Sequence, residues 1–341
     1  MTVNAELDCR LIDLLRSAAG LPGLEYERSP EPMRGGFWAD IYSFSLANPP
    51  GGWPAELVAR LMPNPATARK ETIVQAAVAA AGFPTPFVRA SGGPDGGLGR
   101  AFMVMDKAAG RSLLSGLDGV VTPAVVLRLT RQLPGLLAGS MARLHALDPG
   151  SVRDDLDQVG DVPVTVDGLL KTLAGLAAEY RRPDLAAAAR WLADHPPAPA
   201  PDVICHGDLH PFNLLADDGG VTLLDWSAAV LGPRAYDVAF TSLLLSEPPL
   251  RGPSWQKPVV RVVGAVLARQ FIRAYQRTTR ATITPRELAW HQGVVCLRAL
   301  VEVASWAHEG AASQRAGHPW LATRPAFARR LAALTGAQVT S

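Results

Sequence analysis

Four polar residues in the second half of this 341-residue chain, His206, Asp208, Asn213 and Asp225, have the types and spacing for phosphoryl transfer. Residues 203–215 read V-I-C-H-G-D-L-H-P-F-N-L-L. Within them is H-x-D-x-x-x-x-N, a spacing in which the aspartate receives an acceptor hydroxyl's proton and the asparagine reaches a metal ion. Twelve residues past Asn213, the strand-like run Val221–Leu224 ends in Asp225, whose carboxylate at a strand end fits the second metal ligand. A transferring phosphoryl group spreads charge over its oxygens, so its catalyst must supply position and positive charge. Hard Mg2+ takes oxygen ligands, which Asn213 and Asp225 provide. Asp208 need not be a strong base, because the hydroxyl proton can leave late; orienting the nucleophile is its main expected task.

These residues need a scaffold, and hydrophobic periodicity outlines one. Leu7, Leu11, Leu14 and Leu15 predict a helix over 4–19 that ends at Gly20. The β-like runs Phe37–Leu46 and Glu56–Met62 flank Gly51-Gly52-Trp53-Pro54, as a hairpin would. A helix follows over Thr67–Ala81, then strands over Phe87–Ala90 and Ala101–Met105. After Gly110 the pattern is helical near 122–147, 164–180, 184–195, 234–246, 257–279, 285–309 and 324–335, interrupted by strand-like runs over 202–225. The Pro-rich stretch 195–201 delivers the chain to the strand Val203–Cys205. The expected fold class is α+β with two lobes: residues 1–105 including the leading helix, a crossing segment 106–112, and a larger, mainly helical lobe 113–341.

Composition narrows the classes. No window approaches the roughly 20 apolar residues of a membrane span, and residues 1–10 carry Glu6 and Asp8 without an apolar core, so a cytoplasmic protein with no membrane partner is expected. Cys9, Cys205 and Cys296 are odd in number and far apart, against a disulfide framework or a Cys-rich zinc site. Charge is nearly balanced overall, yet residues 231–341 hold fourteen Lys/Arg against five Asp/Glu. Those arginines are spread over helices with few interleaved aromatics, so solvated faces are expected and no nucleic-acid partner. No G-x-S-x-G, Walker A or G-x-G-x-x-G stretch anchors an acyl-hydrolase, P-loop or Rossmann reading.

H-G-D-L-H-P-F-N followed by L-L-D-W resembles the aminoglycoside phosphotransferase and choline kinase-like family, which shares the bilobal protein-kinase-like fold. The resemblance implies an ATP- and Mg2+-dependent phosphotransferase with Asp208 as catalytic residue, Asn213 and Asp225 as metal ligands, and ATP between the lobes. Asp237, in G-P-R-A-Y-D, would brace the catalytic loop, and His206 would support it by packing and backbone hydrogen bonds. Gly35 and Gly36, between β-like runs, would lay backbone N–H groups over phosphates. Arg60 takes the place of the family's usual phosphate-binding lysine, with Glu71 as its ion-pair partner and Lys70 as the fallback cation. Met103, Val104, Met105 and Asp106 resemble the hinge whose backbone meets adenine. The resemblance covers roughly residues 24–245.

Other readings compete. His210 either lines an acceptor pocket or satisfies loop carbonyls, and His145 is structural. His206, Asp208, His210 and Asp225 could ligate the metal of a phosphoesterase, against which Asn213 stands at kinase spacing. An inactive kinase-like binding or regulatory protein is a further alternative, against which the intact Asp208, Asn213 and Asp225 stand. The partner expected is a small-molecule hydroxyl acceptor, on a monomer or homodimer. In this fold the late helices wall the acceptor site, and their basic bias disfavours a polycationic aminoglycoside. Trp255, Trp290, Trp306 and Trp320 are candidate apolar wall residues, with core packing as the more common fate of each.

Overall fold

The computed structural model describes residues 3–33, 39–113, 123–217, 219–249, 257–311, 313, 315 and 317–340. In chain order come α1 (Val3–Ala19), β1 (Tyr26–Pro32), β2 (Asp40–Leu46), β3 (Glu56–Met62), α2 (Pro65–Ala80), β4 (Val88–Gly92), β5 (Ala101–Asp106) and β6 (Arg111–Ser112). Then follow α3 (Pro123–Leu144), α4 (Gly150–Leu156), α5 (Val166–Glu179), α6 (Pro183–Asp194), β7 (Asp202–Cys205), β8 (Leu214–Asp217), β9 (Gly220–Leu223) and β10 (Val230–Pro233). The chain ends with α7 (Ala235–Ser246), α8 (Lys257–Thr279), α9 (Pro285–His308) and α10 (Pro319–Thr335). These elements fall into two compact units, one of Met1–Arg111, Gly150–Val162 and Leu215–Ala228, the other of Ser112–Pro149, Pro163–Leu214 and Ala229–Ser341.

In the first unit, five antiparallel strands form a sheet of order β1-β2-β3-β5-β4. Side chains alternate across a strand, and both faces of β3 are covered, so nearly all of it is buried. Leu57, Ala59 and Leu61 join Leu11, Ile12 and Leu15 of α1 in one core. The opposite face carries Met62, which packs with Ala68 of α2 and Met103 of β5. Period two therefore puts Arg60 on the α2 side. Asn64 caps α2 by accepting the Thr67 N–H (2.9 Å), with Pro65 in the first turn. Strand β1, Y-E-R-S-P-E-P, escaped the sequence reading because it is polar and carries two prolines; it is an exposed edge, where a missing N–H costs little.

The second unit is mainly helical, with β7 and β10 paired antiparallel (Cys205 opposite Val230, Asp202 opposite Pro233). Gly232 allows this ribbon to lie on α5: a Cβ there would stand 2.4 Å from Val166 Cγ2. Helix α7 is buried along nearly its whole length, as its apolar run requires, and packs against α8 and α9. Helix α10 begins at Pro319, five residues before the expected 324, because His318 caps it and proline suits a first turn. Trp290, Trp306 and Trp320 belong to the core shared by α5, α6, α7, α9 and α10. Trp255 lies outside the described residues.

Candidate active site

Within the first unit, Arg60 of β3 lies buried between two carboxylates. It pairs with Glu71 of α2, which is 1% exposed, and its Nη2 is 3.6 Å from Asp225 Oδ1. Burial pushes the Glu71 carboxyl up to about 7, against the pull of Arg60. Burial also works against the Arg60 charge, but Glu71 and Asp225 outweigh it and raise the Arg60 pKa. Among the described residues its Nε has no hydrogen-bond partner. Asp225 sits just past β9 in a stretch stitched to residues 83–85. The Leu223 N–H donates to Pro84 O (2.9 Å), Thr85 Oγ1 donates to Leu223 O (2.9 Å), and the Trp226 indole donates to Thr85 Oγ1 (2.9 Å). Asp225 itself has φ +65°, a left-handed conformation that costs a non-glycine residue of order 1–3 kcal/mol and is found at sites whose surroundings enforce it. Its Oδ1 accepts the Ser227 hydroxyl (2.6 Å) and N–H (3.3 Å).

In the second unit, the loop leaving β7 is held through its backbone. Asp237, in the first turn of α7, accepts the His206 N–H (2.8 Å) and the Gly207 N–H (2.7 Å). The same carboxylate lies 3.1 Å from His145 Nε2, whose other ring nitrogen is 2.7 Å from the Tyr275 hydroxyl. Burial would raise the Asp237 pKa, but His145, His206 and the backbone N–H groups hold it below the usual carboxylate value. One turn along α7, Thr241 donates to Leu209 O (2.7 Å). Gly207 takes φ +73°, which glycine adopts without strain. His206 is fully buried and its Nδ1 accepts the Asp208 N–H (3.2 Å). Asn213 donates its amide to Asp208 O (3.0 Å) and Oδ2 (3.2 Å), so its hard carbonyl oxygen is the atom left to meet a cation. His210 accepts the Asn213 N–H at Nδ1 (3.3 Å), with Nε2 3.6 Å from Asp208 Oδ2.

Helix α9 brings charge to the same loop. Arg298 donates from Nη1 to Gly207 O (2.8 Å) and Tyr236 Oη (3.4 Å), and its guanidinium carbon lies 5.8 Å from the Phe240 ring centroid. One turn on, Glu302 accepts the Trp320 indole N–H, and burial pushes its carboxyl up to about 7 against the pull of Arg298. Neither residue was foreseen. In 293–304 they are the two charged side chains in an otherwise apolar stretch, four apart, and that is the signal available in the sequence.

The expected adenine segment is placed differently from its ends inward. Met103, Val104 and Met105 are each paired to β3 on one side and β4 on the other, so their backbone groups serve the ladder. Met105 and Asp106 close the strand, Asp106 with its carboxylate on Arg89 (2.5 and 2.8 Å). Gly35 and Gly36 lie outside the described residues. Lys70 is buried on α2 beside Glu71.

A model of the phosphotransferase enzyme family matches residues 32–291. The chain belongs to that family. No curated protein sequence matches it. Among solved structures, a candidate aminoglycoside phosphotransferase from Ralstonia eutropha aligns over 96% of this chain and 98% of its own, at TM-score 0.68 and 20% identity. A choline/ethanolamine kinase family protein from Mesorhizobium loti aligns over 97% and 99%, at TM-score 0.54 and 17% identity. A thermostable mutant of the aminoglycoside phosphotransferase APH(4)-Ia, in complex with ADP and hygromycin B, aligns over 96% and 99%, at TM-score 0.56 and 17% identity. At these identities the likeness is one of fold. The phosphotransferase has the kinase-like α+β architecture, and its described helices include none long and apolar enough to cross a membrane.

Proposed function

We propose that this phosphotransferase is a small-molecule kinase that moves the γ-phosphoryl group of ATP to a hydroxyl acceptor. The observation that carries this reading is the Asp208 loop, whose carboxylate is steered by the Asn213 amide while Asp237 and Arg298 hold its backbone. A carboxylate fixed in this way can orient a hydroxyl group and accept its proton without being a strong base. Asn213 and Asp225 are both oxygen donors suited to Mg2+, and the metal would supply positive charge against the phosphoryl oxygens. Arg60, a buried cation whose Nε has no hydrogen-bond partner among the described residues, suits a phosphate oxygen. Gly35 and Gly36 are assigned to the phosphates on sequence alone. For adenine we favour the strand end at Asp106, because Met103, Val104 and Met105 are already paired on both sides. A cytoplasmic setting, where ATP is abundant, fits three cysteines without a disulfide.

The acceptor we infer is neutral, anionic or weakly cationic. Among the described residues of the second unit, the charges that interact around Asp208 are Arg298, Glu302 and Arg315, beside a His318 imidazole that burial keeps neutral, and they give no acidic surplus to attract a polycation. The test is ADP release from Mg2+ and ATP in the presence of a panel of hydroxyl compounds. Turnover with neutral or acidic alcohols and none with kanamycin-like aminoglycosides is expected; efficient turnover of the latter would overturn the acceptor class.

A further inference from the structure

The peptide that carries Asp208 is gripped from two directions. On its amino side, Asp237 takes the N–H groups of His206 and Gly207. On its carbonyl side, the Gly207 oxygen is taken by Arg298, which comes from α9, 91 residues further along the chain. Gly207 is the flexible point of the loop, with φ +73°, so its two peptide planes need outside partners to stay fixed. The guanidinium is itself constrained, lying near the Phe240 ring and the Tyr236 hydroxyl, with Glu302 one turn along the same helix. A planar cation held on several sides is a rigid hydrogen-bond donor, whereas a lysine there would be a looser one. Charge-assisted hydrogen bonds are roughly twice as strong as neutral ones.

We propose that Arg298 is a positioning residue for phosphoryl transfer, fixing the Gly207–Asp208 peptide through the Gly207 carbonyl so that the Asp208 carboxylate keeps its direction. The inference rests on the kinase reading above but concerns loop order, which can be measured without activity. Loss of Arg298 leaves Asp208, Asn213 and Asp225 in place and frees one side of the peptide. Misplacement of a reacting group by about 1 Å can lower turnover on the order of a hundredfold.

The experiment uses the full-length chain as wild type, Arg298→Met, Arg298→Lys and Asp208→Asn. Two readouts are taken: Mg2+-dependent ATP turnover with water as acceptor, followed by ADP release, and hydrogen exchange of peptides spanning 203–213. Methionine keeps the aliphatic stem over Phe240 and removes the donor. The expected result for Arg298→Met is turnover reduced at least tenfold with KM for ATP within twofold, and faster exchange at 207–209 while β7 stays protected. Arg298→Lys should recover most of both. Wild-type turnover or wild-type exchange in Arg298→Met would overturn the proposal. If wild type and Asp208→Asn release ADP equally, the kinase reading fails, and exchange alone then decides: faster exchange in Arg298→Met upholds the positioning role, unchanged exchange refutes it. Should the methionine variant not fold, Arg298→Gln is read by the same criteria.

Discussion

Two clusters of polar residues, one in each unit, are built on opposite physical plans. In the first unit, charge holds charge: Arg60 is buried between Glu71 and Asp225, and burial presses the Glu71 carboxyl up to about 7. In the second unit, backbone holds the key carboxylate: Asp237, Thr241 and Arg298 bond the N–H and C=O groups of the loop, and Asp208 itself meets Asn213. An electrostatic cluster tolerates motion of its members as long as the charges stay near. A backbone-anchored loop fixes direction, which suits a group whose task is to orient a hydroxyl. The division of labour we propose is phosphate binding by the first cluster and aim by the second, with Asp225 of the first and Asn213 of the second each offering an oxygen to the metal.

The largest effect should come from breaking the aimed group. Asp208→Asn is expected to lower turnover by about 10²- to 10⁴-fold while Mg2+-nucleotide affinity, measured by calorimetry, stays near wild type. Near-normal turnover would move the catalytic role elsewhere. Next, Asp237→Asn puts an amide NH2 where two N–H donors point, in a site with no exposure. It should cost about 3–5 kcal/mol in urea unfolding, the range for breaking a buried charged network. A loss under about 1 kcal/mol would mean that the loop does not depend on its backbone anchors. Gly232→Ala, whose Cβ meets Val166, should cost about 1–3 kcal/mol by overpacking and leave turnover per folded molecule unchanged.

The smallest effect is a pH slope. Glu302 is held at about 7 in the folded chain, chiefly by burial, above its ordinary 4.5. Between pH 4.5 and 7 the unfolded carboxyl has lost its proton while the folded one keeps it, so this group's stabilising contribution is complete below 4.5 and lost as pH rises to about 7. Glu302→Gln should flatten that part of the stability curve, measured as the wild-type minus variant difference; an unchanged difference across this range would place Glu302 outside the buried charge network.

How much of this was legible in sequence follows the same division. Residues 206–213 announce themselves because a loop whose members bond one another keeps a fixed local spacing: His206 accepts the Asp208 N–H and Asn213 donates its amide to the Asp208 oxygens. Helices with a clear apolar stripe were found close to their limits, Lys257–Thr279 among them. Strand β1 was missed because an edge strand needs neither alternation nor freedom from proline. Thr241, Arg298 and Glu302 were missed because their meaning depends on α7 and α9 packing beside the loop, a long-range fact with no local spacing. The mid-sheet pairing of Met103 and Val104 is likewise set by β3 and β4, not by the hinge-like residues themselves.

The central claim, that a metal-bound nucleotide is held through Asp225, is tested most directly by thermal stabilisation with Mg2+ and ATP on the wild-type chain and on Asp225→Ala. The account predicts a rise in melting temperature for the wild type that requires both Mg2+ and nucleotide and disappears in the variant. No shift in the wild type, or an equal shift in Asp225→Ala, would contradict it.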